Sequence, residues 1–122
     1  MKKTALTIDD SKTMRDMVSF TLKNAGYDVV EAENGQLGLD KITGASFDVI
    51  ITDVNMPVMD GITFTREARK RAEAKTTPIL ILTTESGADI KNEGRSAGAT
   101  GWIVKPFNPE KLLQVVEKVC GS

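Results

Sequence analysis

Phe47-Asp48-Val49-Ile50-Ile51-Thr52-Asp53 is a short apolar run, rich in β-branched side chains, that ends on a carboxylate. Consecutive apolar positions, in place of an alternating pattern, are what a strand covered on both faces requires. The same design recurs along the chain. Ala5-Leu6-Thr7-Ile8 leads into Asp9 and Asp10, Ile79-Leu80-Ile81-Leu82 into Thr83, and Trp102-Ile103-Val104 into Lys105. If these runs are parallel strands of one sheet, their charged ends gather at its carboxyl edge, where open α/β sheets bind ligands.

Strands are expected at roughly residues 4–8, 28–32, 47–52, 78–83 and 100–104, each followed by a segment of helical period. Right-handed crossovers then give an α/β, doubly wound, five-stranded parallel sheet in the order 2-1-3-4-5, with its switch point between strands 1 and 3. The third and fourth strands belong in the middle. The first helix carries Met14, Met17, Val18, Thr21, Leu22 and Ala25 on one face and stops at Gly26. The second spans about 35–43 with Leu39 and Ile42 inward. Asp60 caps a third, with Ile62, Phe64, Thr65 and Ala68 on its buried side. The fourth, about 88–97, has only Ile90 and Ala97 as core anchors, and Gly94 lowers its helix propensity by about 1 kcal/mol against alanine; it is expected to be the most mobile. The last opens on Asn108-Pro109-Glu110 and buries Leu112, Leu113, Val116 and Val119.

The chain of 122 residues is read as one domain, with no second, output domain. Its net charge of -1 and 27% charged residues argue against nucleic-acid binding. Arg69-Lys70-Arg71 reads as the solvated end of a helix, and Lys91, Asn92, Arg95 and Ser96 as solvated positions on the fourth. No stretch approaches the ~18 apolar residues of a membrane span, so a cytoplasmic location is expected. The lone Cys120 has no histidine or second cysteine to pair with, because the chain contains no histidine at all. Any phosphohistidine chemistry must therefore come from a partner. Among the five methionines, Met56 and Met59 are expected to be partly exposed in the loop beyond Asp53.

Two carboxylates ~4 Å apart repel by about 4 kcal/mol at an effective dielectric near 20, so three in one pocket need a cation. Magnesium suits them: a hard ion, content with carboxylates, a backbone carbonyl and water, and commonly shared with phosphate. Lys105 supplies a compact positive charge and Thr83 a hydroxyl at the same edge. Asp9 and Asp10, being adjacent, suit metal binding; Asp53, alone at the end of the central strand, is the natural nucleophile.

These residues resemble the response-regulator receiver domains, and among them the stand-alone chemotaxis regulators of the CheY type, over essentially the whole chain. The matching stretches are Asp9-Asp10, Thr52-Asp53-Val54-Asn55-Met56-Pro57-Val58-Met59-Asp60-Gly61, Thr83, and Gly101-Trp102-Ile103-Val104-Lys105-Pro106-Phe107. The resemblance implies a flavodoxin-like (βα)5 fold in which Asp53 accepts a phosphoryl group from a phosphohistidine of a sensor kinase. It also implies Mg2+ held by Asp10, Asp53 and the Asn55 carbonyl, with Asp9 acting through water. Lys105 and Thr83 would hold the transferred group, Trp102 would stand at the switch aromatic's place, and Asn55, Thr84 and Glu85 would tune access and self-hydrolysis. A cis Lys105-Pro106 bond is implied as well. The expected protein is not a turnover enzyme but a monomeric switch, read out by the flagellar motor switch protein or another protein target. Alternatives within that class are a phosphate sink and a phosphorelay intermediate. An aspartate-nucleophile phosphatase would want an acid where Asn55 stands, and a flavin module would find its phosphate repelled by Asp9-Asp10.

Overall fold

The computed structural model describes residues 3–84 and 88–120, and they form the expected sheet with helices on both faces. The strands β1 (Thr4–Ile8), β2 (Asp28–Ala32), β3 (Val49–Asp53), β4 (Ile79–Thr83) and β5 (Gly101–Val104) are all parallel, in the order β2-β1-β3-β4-β5. The helices are α1 (Lys12–Asn24), α2 (Gly35–Ile42), α3 (Gly61–Ala68), α4 (Ala88–Ala97) and α5 (Pro109–Val119). Alternation along the strands divides the core. Ala5, Val49, Ile51, Leu80, Leu82 and Ile103 face Val18 and Leu22 of α1 and Leu112 and Val116 of α5. Leu6, Ile8, Ile50 and Ile79 face Leu39 and Ile42 of α2 and Phe64 and Ala68 of α3. Ile81 joins Ile62 and Ala97 under α4.

The helix ends follow from local chemistry. Ser11, Asn34, Asp60 and Asn108 each accept, through a side-chain oxygen, the amide three residues on, satisfying a donor that the helix cannot. Gly26, with φ +94, ends α1 in the left-handed conformation.

Several local expectations need correction. β3 begins at Val49, not at residue 47, because the Asp48 carboxylate takes the Thr4 amide at 2.8 Å and fixes the entry to both strands. On α1 the inward positions are Val18, Ser19, Thr21 and Leu22, whereas Met17 is 43% exposed and Ala25 is exposed at the C-cap. Cys120 is the half-buried C-cap of α5, its thiol 3.7 Å from the Asp48 carbonyl. Arg69 is no solvated helix end. Its guanidinium donates to the carbonyls of Gly98, Ala74 and Thr77 at 2.6–2.9 Å, tying α3 to a 3-10 turn at Ala72–Ala74 and to the α4–β5 connection. Gly94 is buried, and an added Cβ would lie 3.1 Å from Ile81 Cδ1, so its missing side chain lets α4 approach the sheet. Met56 and Met59 are partly exposed, as expected, and pack their remaining surface against the α2–α3 side of the core. No helix of the described residues is long and apolar enough to cross a membrane.

Candidate functional site

Register places the ends of the central strands side by side. Ile8 pairs with Thr52, Asp53 with Leu82, and Thr83 with Val104, so the residues that follow β1 and β5 flank the end of β3. Asp9, Asp10 and Asp53 each turn a carboxylate oxygen into one group within 4.8 Å of each other. Lys105 enters from the β5 side, its Nζ 3.1 Å from Asp53 Oδ1 and 3.6 Å from Asp9 Oδ2. The lysine side chain is 15% exposed and those of Asp9 and Asp53 are 2% and 13%, so these charges are screened weakly by solvent.

Each acid is held differently. Asp53 Oδ1 also accepts the Val54 amide at 2.9 Å. Its carbonyl takes the Thr52 hydroxyl at 2.9 Å, and Gly61 packs so closely on that carbonyl that a Cβ there would collide with it. Asp9 Oδ1 accepts the Ser11 amide at 2.9 Å, whereas Asp9 Oδ2 is buried with no hydrogen-bond donor among the described residues, its Lys105 contact being an ion pair beyond bonding distance. Asp10 is exposed at the rim.

Burial raises the Asp9 carboxyl above its ordinary value of 3.8; the Ser11 amide opposes that shift, Asp53 reinforces it, Lys105 opposes it and Asp10 reinforces it. The sign matters. The fold holds this proton to a higher pH than the unfolded chain, so the stability it contributes is complete below 3.8 and is lost as the pH rises through the raised value. A buried carboxylate with one orphaned oxygen and two acidic neighbours is an arrangement that a cation would relieve. An all-oxygen donor set with one orphaned acceptor fits Mg2+, and the described residues offer no thiolate or imidazole at this edge for a softer metal.

The remaining sequence-predicted residues surround this cluster. Thr83 is 2% exposed, and its carbonyl accepts the Lys105 amide at 2.7 Å. Lys105-Pro106 is cis, as the resemblance implied. Thr84 is exposed and lines a mainly apolar cleft with Met14, Met17, Lys105, Pro106 and Phe107. Asn55 is exposed, its side chain along a groove between α3 and α4. Glu85 lies outside the described residues.

Trp102 is half-buried, with Lys91 Nζ 5.3 Å and Arg95 Cζ 5.7 Å from its ring centre. These two cations, expected to be merely solvated, lie on the indole, a contact worth about 0.5–1 kcal/mol at an exposed site. Between the ring and Thr83 is a small apolar cavity lined also by Ile81, Ile90 and Gly94. Arg15, Glu31 and the packing role of Gly61 were not foreseen. Each depends on contacts made only after folding, and no periodicity marks them.

A parallel sheet of this order thus gathers three carboxylates and a lysine at its switch point, the class of site that open α/β proteins use for a ligand. The model of the response regulator receiver domain matches residues 5–117, and the chain belongs to that family of two-component proteins. It is 40% identical over 119 residues to chemotaxis protein CheY1 of Helicobacter pylori, covering 96% of each chain, and 36% identical over 115 residues to chemotaxis protein CheY of Pseudomonas aeruginosa, covering 93% of each. The solved chemotaxis response regulator CheY4 of Vibrio cholerae superposes with a TM-score of 0.93 at 51% identity, covering 98% of this chain and 99% of that one.

Proposed function

We propose that this protein is a chemotaxis-type signalling switch in which Asp53 accepts a phosphoryl group from the phosphohistidine of a kinase and the change is read out by protein binding. The observation that carries this is the 3.1 Å contact between Lys105 Nζ and Asp53 Oδ1 inside a carboxylate cluster with an orphaned acceptor. Oδ1 is engaged by Lys105 and the Val54 amide, which leaves Oδ2 to attack phosphorus. An O–P bond forms as the N–P bond breaks, and the imidazole leaves to take a proton from solvent. Mg2+, when held by Asp10, Asp53 and the Asn55 carbonyl with Asp9 through water, would neutralise charge on the phosphoryl oxygens. Lys105 offsets the same charge from the other side, and the Thr83 hydroxyl accepts a place beside the new acyl phosphate. Asn55, Thr84 and Glu85 are the positions from which its lifetime would be tuned.

Phosphorylation adds an anion with strong acceptor oxygens, and Thr83 moves towards it. Trp102 then enters the cavity behind the threonine, leaves Lys91 and Arg95, and reshapes the surface of α4, β5 and α5. Beryllofluoride with magnesium is expected to change indole fluorescence, an unambiguous signal because Trp102 is the only tryptophan in the sequence. An unchanged signal in fully modified protein would remove the coupling.

Catalysis is confined to self-phosphotransfer and slow self-dephosphorylation, and the switch acts as a monomer. The proposed target is a flagellar motor switch protein, supported by the chemotaxis relatives. Pull-down with and without beryllofluoride separates motor binding from a phosphate sink or relay. The acceptor itself is tested by incubation with acetyl phosphate and magnesium: the parent should gain the mass of one phosphoryl group and Asp53→Asn none. Equal gain in both would reject Asp53.

A further inference from the structure

We infer that Arg15, held by Glu31, is a positioning residue for the carboxylate cluster, acting through the main chain between Asp9 and Asp10. Arg15 lies in the second turn of α1, and its side chain reaches back over the end of β1. Its Nη1 donates to the Asp9 carbonyl at 2.7 Å, and its Nε donates to Glu31 Oε1 at 3.3 Å, with the arginine side chain only 11% exposed. Glu31, one residue before the end of β2, fixes the fork from the other side.

The consequence is geometric. The Asp9 amide is already bound to the Ala32 carbonyl at 3.1 Å, and the Asp9 side chain to the Ser11 amide. With its carbonyl held by Arg15, the peptide plane joining Asp9 to Asp10 has no freedom to rotate, and that plane sets the direction in which the Asp10 carboxylate leaves the strand. Asp10 is exposed and, among the described residues, no side-chain hydrogen bond of its own orients it, so the main chain must. A planar guanidinium meets the carbonyl and Glu31 together; a lysine ammonium offers a single mobile point and cannot. This rests on the reading of the cluster as a Mg2+ site, and follows the general rule that groups supporting metal ligands alter affinity by about 10–100-fold when removed.

The test is Mg2+ affinity by calorimetry on the parent, Arg15→Lys, Arg15→Met and Glu31→Ala, at a temperature where circular dichroism shows each folded. Both arginine variants should bind Mg2+ about 10–100-fold more weakly, Lys failing to rescue, with Glu31→Ala intermediate. In acetyl phosphate reactions the half-saturating magnesium concentration should rise by a similar factor, while the rate at saturating magnesium returns to within about threefold of the parent. In the metal-free protein, the Asp10 and Ser11 amide resonances should shift in the arginine variants. Should Arg15→Met not fold, Arg15→Lys and Glu31→Ala carry the test. Parent-like affinity and amide shifts in the folded variants would overturn the inference; absence of Mg2+ binding by the parent would instead reject the underlying site.

Discussion

Gly61→Ala should destabilise the fold by about 2–3 kcal/mol, an overpacking penalty offset in part by the better helix propensity of alanine. Gly61 is the first residue of α3, and its amide donates to the Val54 carbonyl at 2.9 Å. An added methyl would run into the Asp53 carbonyl and lie 3.1 Å from Thr52 Oγ1. Both obstacles are fixed: the first is main chain, and the second is a hydroxyl already bonded to that same carbonyl at 2.9 Å. Relief requires the end of β3 to move, so acyl phosphate formation should slow together with the loss of stability. Gly94→Ala is the control, because its new Cβ would press on the flexible end of Ile81 at 3.1 Å and make ordinary contact with Ile62 at 3.6 Å. Chemical denaturation should find that variant within about 1 kcal/mol of the parent, helix propensity opposing the squeeze. Gly61→Ala with parental stability would show that the loop beyond Asp53 yields more readily than its contacts imply.

Lys105→Met should slow phosphoryl transfer from acetyl phosphate at saturating magnesium by about 10²–10³-fold, the usual loss when one group facing the developing charge is removed. Methionine keeps the length and apolar stem but not the ammonium that lies 3.1 Å from Asp53. The same change removes a fixed cation from among three carboxylates, so Mg2+ affinity should hold or rise. Opposite movement of rate and affinity separates a group acting on the phosphoryl from a metal ligand, whose loss would weaken both. Stopped-flow rates within tenfold of the parent would assign Lys105 to structure alone.

The layout of the molecule was readable because its strands are apolar at successive positions and end abruptly on charge. Val49-Ile50-Ile51 and Ile79-Leu80-Ile81-Leu82 have the pattern of strands covered on both faces, and their parallel order brought Asp9, Asp10, Asp53 and Lys105 together. What escaped depends on partners distant in sequence. The start of β3 is set by Asp48 against Thr4, and the turn at Ala72–Ala74 by Arg69, neither of which a local pattern announces. Met17 matched the helical period of α1 yet lies at the rim of the cleft beside Phe107, because periodicity gives a face but not its width. Gly94 looked like a weakness in α4 until its packing against Ile81 gave it a purpose. Arg15 carries no local signal in the sequence, because its partners, the Asp9 carbonyl and Glu31, are brought to it only by the fold.

Asp53 can react only once a hard cation reconciles the crowded carboxylates around it. Calorimetric titration of the metal-free protein with magnesium tests it most directly. One Mg2+ should bind per chain, more weakly as the pH falls through the raised Asp9 value and much more weakly in Asp53→Asn. A parent protein that takes up no magnesium at neutral pH, or one whose binding is indifferent to Asp53, would contradict it.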